Sequence, residues 1–126
     1  MNNVQLILST IELVHQKGGE DGFAIFELNH PYYFQFAGEK GADEFHCEVV
    51  SNNFLEKEDF LSEEQIHQLN EMGWLSPSDD SSNFYLAHPV NSEEDRVQMA
   101  ELLYQTAFVV FQYGDITDSN VTLNVE

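Results

Sequence analysis

Residues 61–73 read Leu61-Ser62-Glu63-Glu64-Gln65-Ile66-His67-Gln68-Leu69-Asn70-Glu71-Met72-Gly73, a helix with both ends marked. Ser62 can accept hydrogen bonds from the free amides of a first turn, and Gln65, three residues on, can reach back to complete a capping box. Leu61 and Ile66 occupy the two positions of a hydrophobic staple. Ile66, Leu69 and Met72 share one face, and Gly73 suits the left-handed residue after a helix. The spacing predicts a helix over 62–72, and this helix separates a run of strands from the C-terminal third of the chain.

Upstream lie three strand candidates, Phe23–Leu28, Tyr32–Ala37 and Phe45–Ser51. Asn29-His30-Pro31 separates the first two and Gly38–Gly41 the others. Parallel neighbours need a crossover of about a dozen residues, so links this short favour an antiparallel meander. In the third strand Phe45, Cys47 and Val49 point one way and His46, Glu48 and Val50 the other. Tyr32, Tyr33, Phe34 and Phe36 must likewise divide between two faces. Phe34 and Phe36 read as core, while the second face stays open unless a helix, a subunit or a ligand covers it. Before the strands, Val4, Ile7, Leu8, Ile11 and Val14 recur at helical steps, predicting a helix over 3–16 closed by Gly18-Gly19. Downstream, Ser76–Ser82 is a polar loop and Asn83–His88 a fourth strand ended by Pro89. A last helix capped by Asn91 or Ser92 buries Val97, Ala100, Tyr104, Ala107, Phe108 and Phe111 and ends at Gly114. The order is α-β-β-β-α-β-α: an α+β fold, an antiparallel sheet of about four strands with helices packed on it. Residues 1–114 form one domain. Residues 115–126 form a tail whose alternating Val121, Leu123 and Val125 read as a short edge strand or a frayed end.

The 126 residues are 42% hydrophobic, which is a globular rather than a disordered composition. Acids outnumber bases 23 to 4, a net charge of −19. That excludes a binder of phosphate backbones, which needs Lys and Arg to displace counterions, and disfavours anionic membranes. The single Cys47 excludes an internal disulfide and a multi-cysteine zinc site. The first residues carry neither a basic segment nor an apolar run of signal length, so cytoplasmic residence is expected.

No catalytic or metal motif stands out. Cys47 and His46 are strand neighbours and point to opposite faces, so they cannot pair. A small cysteine in a strand reads as core. The five histidines include no i, i+4 pair, and Asp115, Asp118 and Asn120 lack the order and closing Glu of a calcium loop. There is no G-x-S-x-G, P-loop or G-x-G-x-x-G. Paired acids such as Glu63-Glu64 and Glu93-Glu94-Asp95 sit where helix starts favour them. The expectation is no catalytic residue, no metal and no cofactor. Sixteen aromatic rings are generous for this length, and Tyr33 and Trp74 are candidates for partial exposure at an interface.

Residues 48–84 carry a further pattern. Glu48-Val49-Val50-Ser51-Asn52-Asn53-Phe54-Leu55 is followed by Leu61-Ser62-x-x-Gln65, Leu69-x-x-Met72-Gly73-Trp74, Pro77 and Asn83-Phe84. With the last helix, residues 22–112 resemble the TY-Chap group, small domains related to type III secretion chaperones and to YbjN. The resemblance implies a non-catalytic, usually dimeric α+β chaperone-like protein that holds an extended segment of a client on apolar patches. One difference is a single strand after the second helix, where secretion chaperones commonly have two. The resulting expectation is a chaperone-like protein that binds a protein or peptide client, with the acidic surface steering basic clients. Tyr33, Phe54 and Trp74 are its candidate contacts, and a homodimer its expected assembly. The alternative is an adaptor or regulatory subunit of a fixed complex.

Overall fold

The computed structural model describes residues 2–79 and 81–126; Asp80, in the expected polar loop, lies outside the described residues. Helix α1 (Asn3–Lys17) is followed by strands β1 (Phe23–Glu27), β2 (Tyr33–Ala37) and β3 (Glu44–Val49). Helix α2 (Glu63–Glu71), strand β4 (Phe84–Pro89), helix α3 (Glu93–Gln105) and strand β5 (Val121–Asn124) complete the order. All strand pairs are antiparallel, in the order β4-β3-β2-β1-β5. The sheet has five strands rather than about four, because the tail pairs with β1 from Phe23↔Asn124 to Phe26↔Val121.

The helix ends obey the chemistry of their caps. Ser62 Oγ accepts from the Gln65 amide at 3.1 Å, and Gln65 Oε1 accepts from the Ser62 amide at 2.8 Å. Ser92 and Asp95 repeat that box at α3. Gly73 sits at φ +106, the left-handed conformation expected after α2. Gly38 serves close approach instead: a Cβ there would run into the Phe45 ring.

The core lies between one face of the sheet and helices α1 and α3. Ala24 and Phe26 of β1, Phe34 and Phe36 of β2, and Phe45, Cys47 and Val49 of β3 are all buried. They meet Ile7, Ile11 and Val14 of α1 and Met99, Ala100 and Leu103 of α3. Phe26 stacks on Phe34 at 4.8 Å, and Phe36 on Phe45 at 5.7 Å.

Two details differ from the sequence reading. Val50, which alternation places beside His46 and Glu48, is buried, because β3 ends at Val49 and the chain turns there. The last helix changes winding at Thr106–Val110, a π-helical turn, and stops at Phe111 rather than Gly114. A π turn inserts an extra residue into the helical period. It turns Thr106 and Val110 inward and leaves Phe108, expected in the core, 53% exposed. Gln112 takes the left-handed conformation after it, at φ 55.

Candidate functional site

Alternation along the strands gives the sheet a second face, which none of the described helices covers. It carries Phe23, Ile25 and Glu27 from β1, Tyr33, Gln35 and Ala37 from β2, and Glu44, His46 and Glu48 from β3. Tyr85, Ala87 and Pro89 come from β4, and Thr122 and Asn124 from β5. None of these residues is fully buried. Register sets them in rows. Ile25, Gln35, Glu48 and Tyr85 are successive partners across the sheet, as are Phe23, Ala37, His46 and Ala87. The small side chain of Ala37 leaves a depression of about 260 Å³ lined by Phe23, Ile25, Gln35, His46 and Glu48.

Glu48 is the most constrained polar group of this face. Its Oε1 accepts from Asn83 Nδ2 at 3.0 Å and from Gln35 Nε2 at 3.4 Å. Its Oε2 lies 3.0 Å from His46 Nε2, a contact that becomes an ion pair when the ring is protonated. Asn83 is buried and also bonds the Tyr33 hydroxyl and, through Oδ1, the Ser51 amide at 3.0 Å. The open face is thereby tied to the turn after β3.

That turn explains much of the Ser51-Asn52-Asn53 pattern. Ser51 Oγ donates to the Ser82 carbonyl and accepts from the Asn53 amide. Asn53 Nδ2 donates to the same carbonyl, and Asn52 Oδ1 accepts from the Leu61 amide at 2.7 Å. These side chains pin the connection between β3 and α2; they do not display chemistry. Beside them a second depression of about 410 Å³ is lined by Asn52, Asn53, Ile66, Pro77 and Phe84.

The three sequence candidates fall in different places. Tyr33 lies on the open face, half-buried, with its hydroxyl on Asn83. Phe54 is 59% exposed, on the turn beyond β3. Trp74 is a correction: it is 1% exposed and belongs to the core. Its indole N–H donates to Thr106 Oγ1 at 3.0 Å, and that hydroxyl donates to the Leu102 carbonyl at 2.8 Å. A side chain so enclosed presents no surface to a partner. The structure groups Tyr33 with Phe23, Ile25, Gln35, Glu48 and Tyr85, five residues that were not candidates. Alternation marked Glu48 and His46 as facing away from the core. Which residues stand beside them depends on strand register, and no turn signal fixed that.

Cys47 is buried on the core face, and burial pushes its thiol far above the ordinary range. It is shaped for packing, not for attack on a substrate. Among the described residues no group of His, Cys, Asp and Glu is arranged to hold a metal ion. Nor is any helix among them long and apolar enough to cross a membrane.

Two strands, β4 and β5, follow α2, rather than the single one expected, and two isolated bridges precede or border β4. Leu75 bridges Tyr85 through two backbone hydrogen bonds, and Ser78 bridges Ser81. A family model matches the chain over residues 9–113: TY-Chap3, described as T3SS (YopN, CesT) and YbjN peptide-binding chaperone 3. The matched span runs from within α1 to just past the π turn and omits β5. No curated protein and no solved structure matches the chain.

Proposed function

Because the chain belongs to the TY-Chap3 family of T3SS and YbjN peptide-binding chaperones, we propose that it holds a peptide segment of a client protein, without catalysis, on the open face of its sheet. The observation that carries this reading is the uncovered face itself, which bears Phe23, Ile25, Tyr33 and Tyr85 and a shallow depression lined in part by the first two. An extended segment laid there buries its own apolar side chains against these four, which is the driving force for association. Phe54 adds an outlying contact at one end. Trp74, enclosed in the core, takes no part in the contact. The net charge of −19 speeds encounter with basic clients. A cytoplasmic setting and a homodimer belong to the same reading.

Selection from a random peptide library on the immobilised protein tests it. Peptides should be enriched on the unmodified chain, and enrichment should fall on Ile25→Asp, which changes the open face without touching the core. Failure to enrich any peptide, or equal enrichment on the variant, overturns the placement.

A further inference from the structure

Building on the peptide-binding reading, we infer that the depression over Ala37 receives an arginine or lysine side chain of the bound segment. The shape comes from one short residue in a row of longer ones: Ala37 stands between Phe23 on β1 and His46 on β3. Its volume of about 260 Å³ falls below the ~300–1,000 Å³ of small-molecule sites. A single long side chain fits within it.

The two walls differ in chemistry. Phe23 and Ile25 are apolar, whereas Gln35, His46 and Glu48 are polar. A long basic side chain matches both, laying its methylene stem on the first wall and its charged head on the second. Glu48 waits for that head in a fixed position. Asn83, Gln35 and His46 hold it, and none of the three is a permanent cation. Its side chain is only 24% exposed, so its charge is less screened than one in free solution.

Charge on the rest of the face points the same way. Its other ionisable side chains include Glu27 and Glu44. The four basic residues stand elsewhere: Lys17 on α1, Lys40 between β2 and β3, Lys57 beyond β3, and Arg96 on α3 bonded to the Val90 carbonyl. An acidic side chain is repelled here. An apolar one strips water from Glu48 without replacing its hydrogen bonds. A second copy of the chain set face to face here would oppose the same acids, so the proposed homodimer is joined through another surface.

The test reads residue composition in peptides enriched from the random library. Arg or Lys should recur at one position flanked by apolar residues. Replacing it by norleucine in a synthetic copy should weaken binding by at least about tenfold, the scale of a hydrogen bond to a charged group. Glu48→Gln keeps an acceptor for Asn83 and should remove the preference. Ala37→Leu, which fills the depression from an exposed position, should remove it too. Enrichment with no basic position, or a preference that survives both variants, overturns the pocket while leaving peptide binding in place. No enrichment at all overturns both.

Discussion

Replacing Thr106 by valine removes one hydroxyl and nearly preserves shape, so its effect isolates the bond that holds Trp74. The indole N–H donates to Thr106 Oγ1 at 3.0 Å, and both residues are buried. Valine leaves that donor unsatisfied in the core, which costs about 1–3 kcal/mol. The Leu102 carbonyl loses the hydroxyl but keeps the Thr106 backbone amide, so no second penalty arises. Out of roughly 5–15 kcal/mol for a domain, the loss is large. With a urea slope of about 2 kcal/mol/M it moves the midpoint down by about 0.5–1.5 M. Trp74 is the only tryptophan, so its fluorescence tracks unfolding and reports on the perturbed site itself. Thr106→Ser, which keeps the hydroxyl, should recover most of the loss. In a double-mutant cycle with Trp74→Phe, where no N–H remains and unfolding is followed by circular dichroism, Thr106→Val should be milder by about 1 kcal/mol. A midpoint unchanged by Thr106→Val, or equal effects in both backgrounds, would refute the claim that this bond fixes the π turn onto Trp74.

Three further outcomes are expected. Cys47 keeps its proton when folded and loses it more readily when unfolded, so it leaves stability unchanged below pH 9.0 and lowers it above. The loss is about 1.4 kcal/mol per pH unit. Cys47→Ala should flatten that slope in urea titrations, and the native thiol should stay inert to a disulfide reagent until the protein unfolds. Gln112→Gly relieves a left-handed residue at φ 55 and should raise stability by about 0.5–1 kcal/mol, read as a higher urea midpoint; a lower midpoint would contradict the assigned conformation. Light scattering after size exclusion should give twice the 14.5 kDa chain mass for the proposed homodimer, and a mass of one chain would exclude it.

Local signals were legible and distant ones were not. Helix α2 could be placed from Ser62, Gln65 and Gly73 because its caps lie within a few residues of what they bond. Phe34, Phe36, Phe45, Cys47 and Val49 could be sorted by the two-residue period of a strand. Trp74 was misplaced because its partner, Thr106, lies 32 residues away. Phe108 was misplaced because a helical period continues through 106–111 in the text, whereas the backbone widens by one residue there. The open face was half legible. Glu48 and His46 could be seen to leave the core, but their setting among Phe23, Ile25, Ala37 and Tyr85 depends on register across four strands. The Ser51-Asn52-Asn53 pattern carried the resemblance. Its role in pinning the turn emerged only once Ser82, Asn83 and the Leu61 amide stood beside it in space.

Strand β5 is short, yet it decides what the neighbouring strand presents to the outside. Without it, Phe23-Ala24-Ile25-Phe26 would be a bare margin with its amides and carbonyls unpaired, an apolar template for joining other chains. With it, the margin becomes Val121-Thr122-Leu123-Asn124, four residues held in place from both ends. Asn120 Nδ2 donates to the Glu27 carbonyl, 93 residues earlier, and Asn124 Nδ2 donates to the Asp21 carbonyl. β1 therefore meets this cover only after that whole intervening stretch has been made, so a growing chain carries its stickiest strand half-dressed in the meantime. The segment that closes the edge is thus a safeguard against self-association in the wrong place. A protein whose proposed work is to hold exposed segments of others has the free edge of its own β1 covered by its own tail.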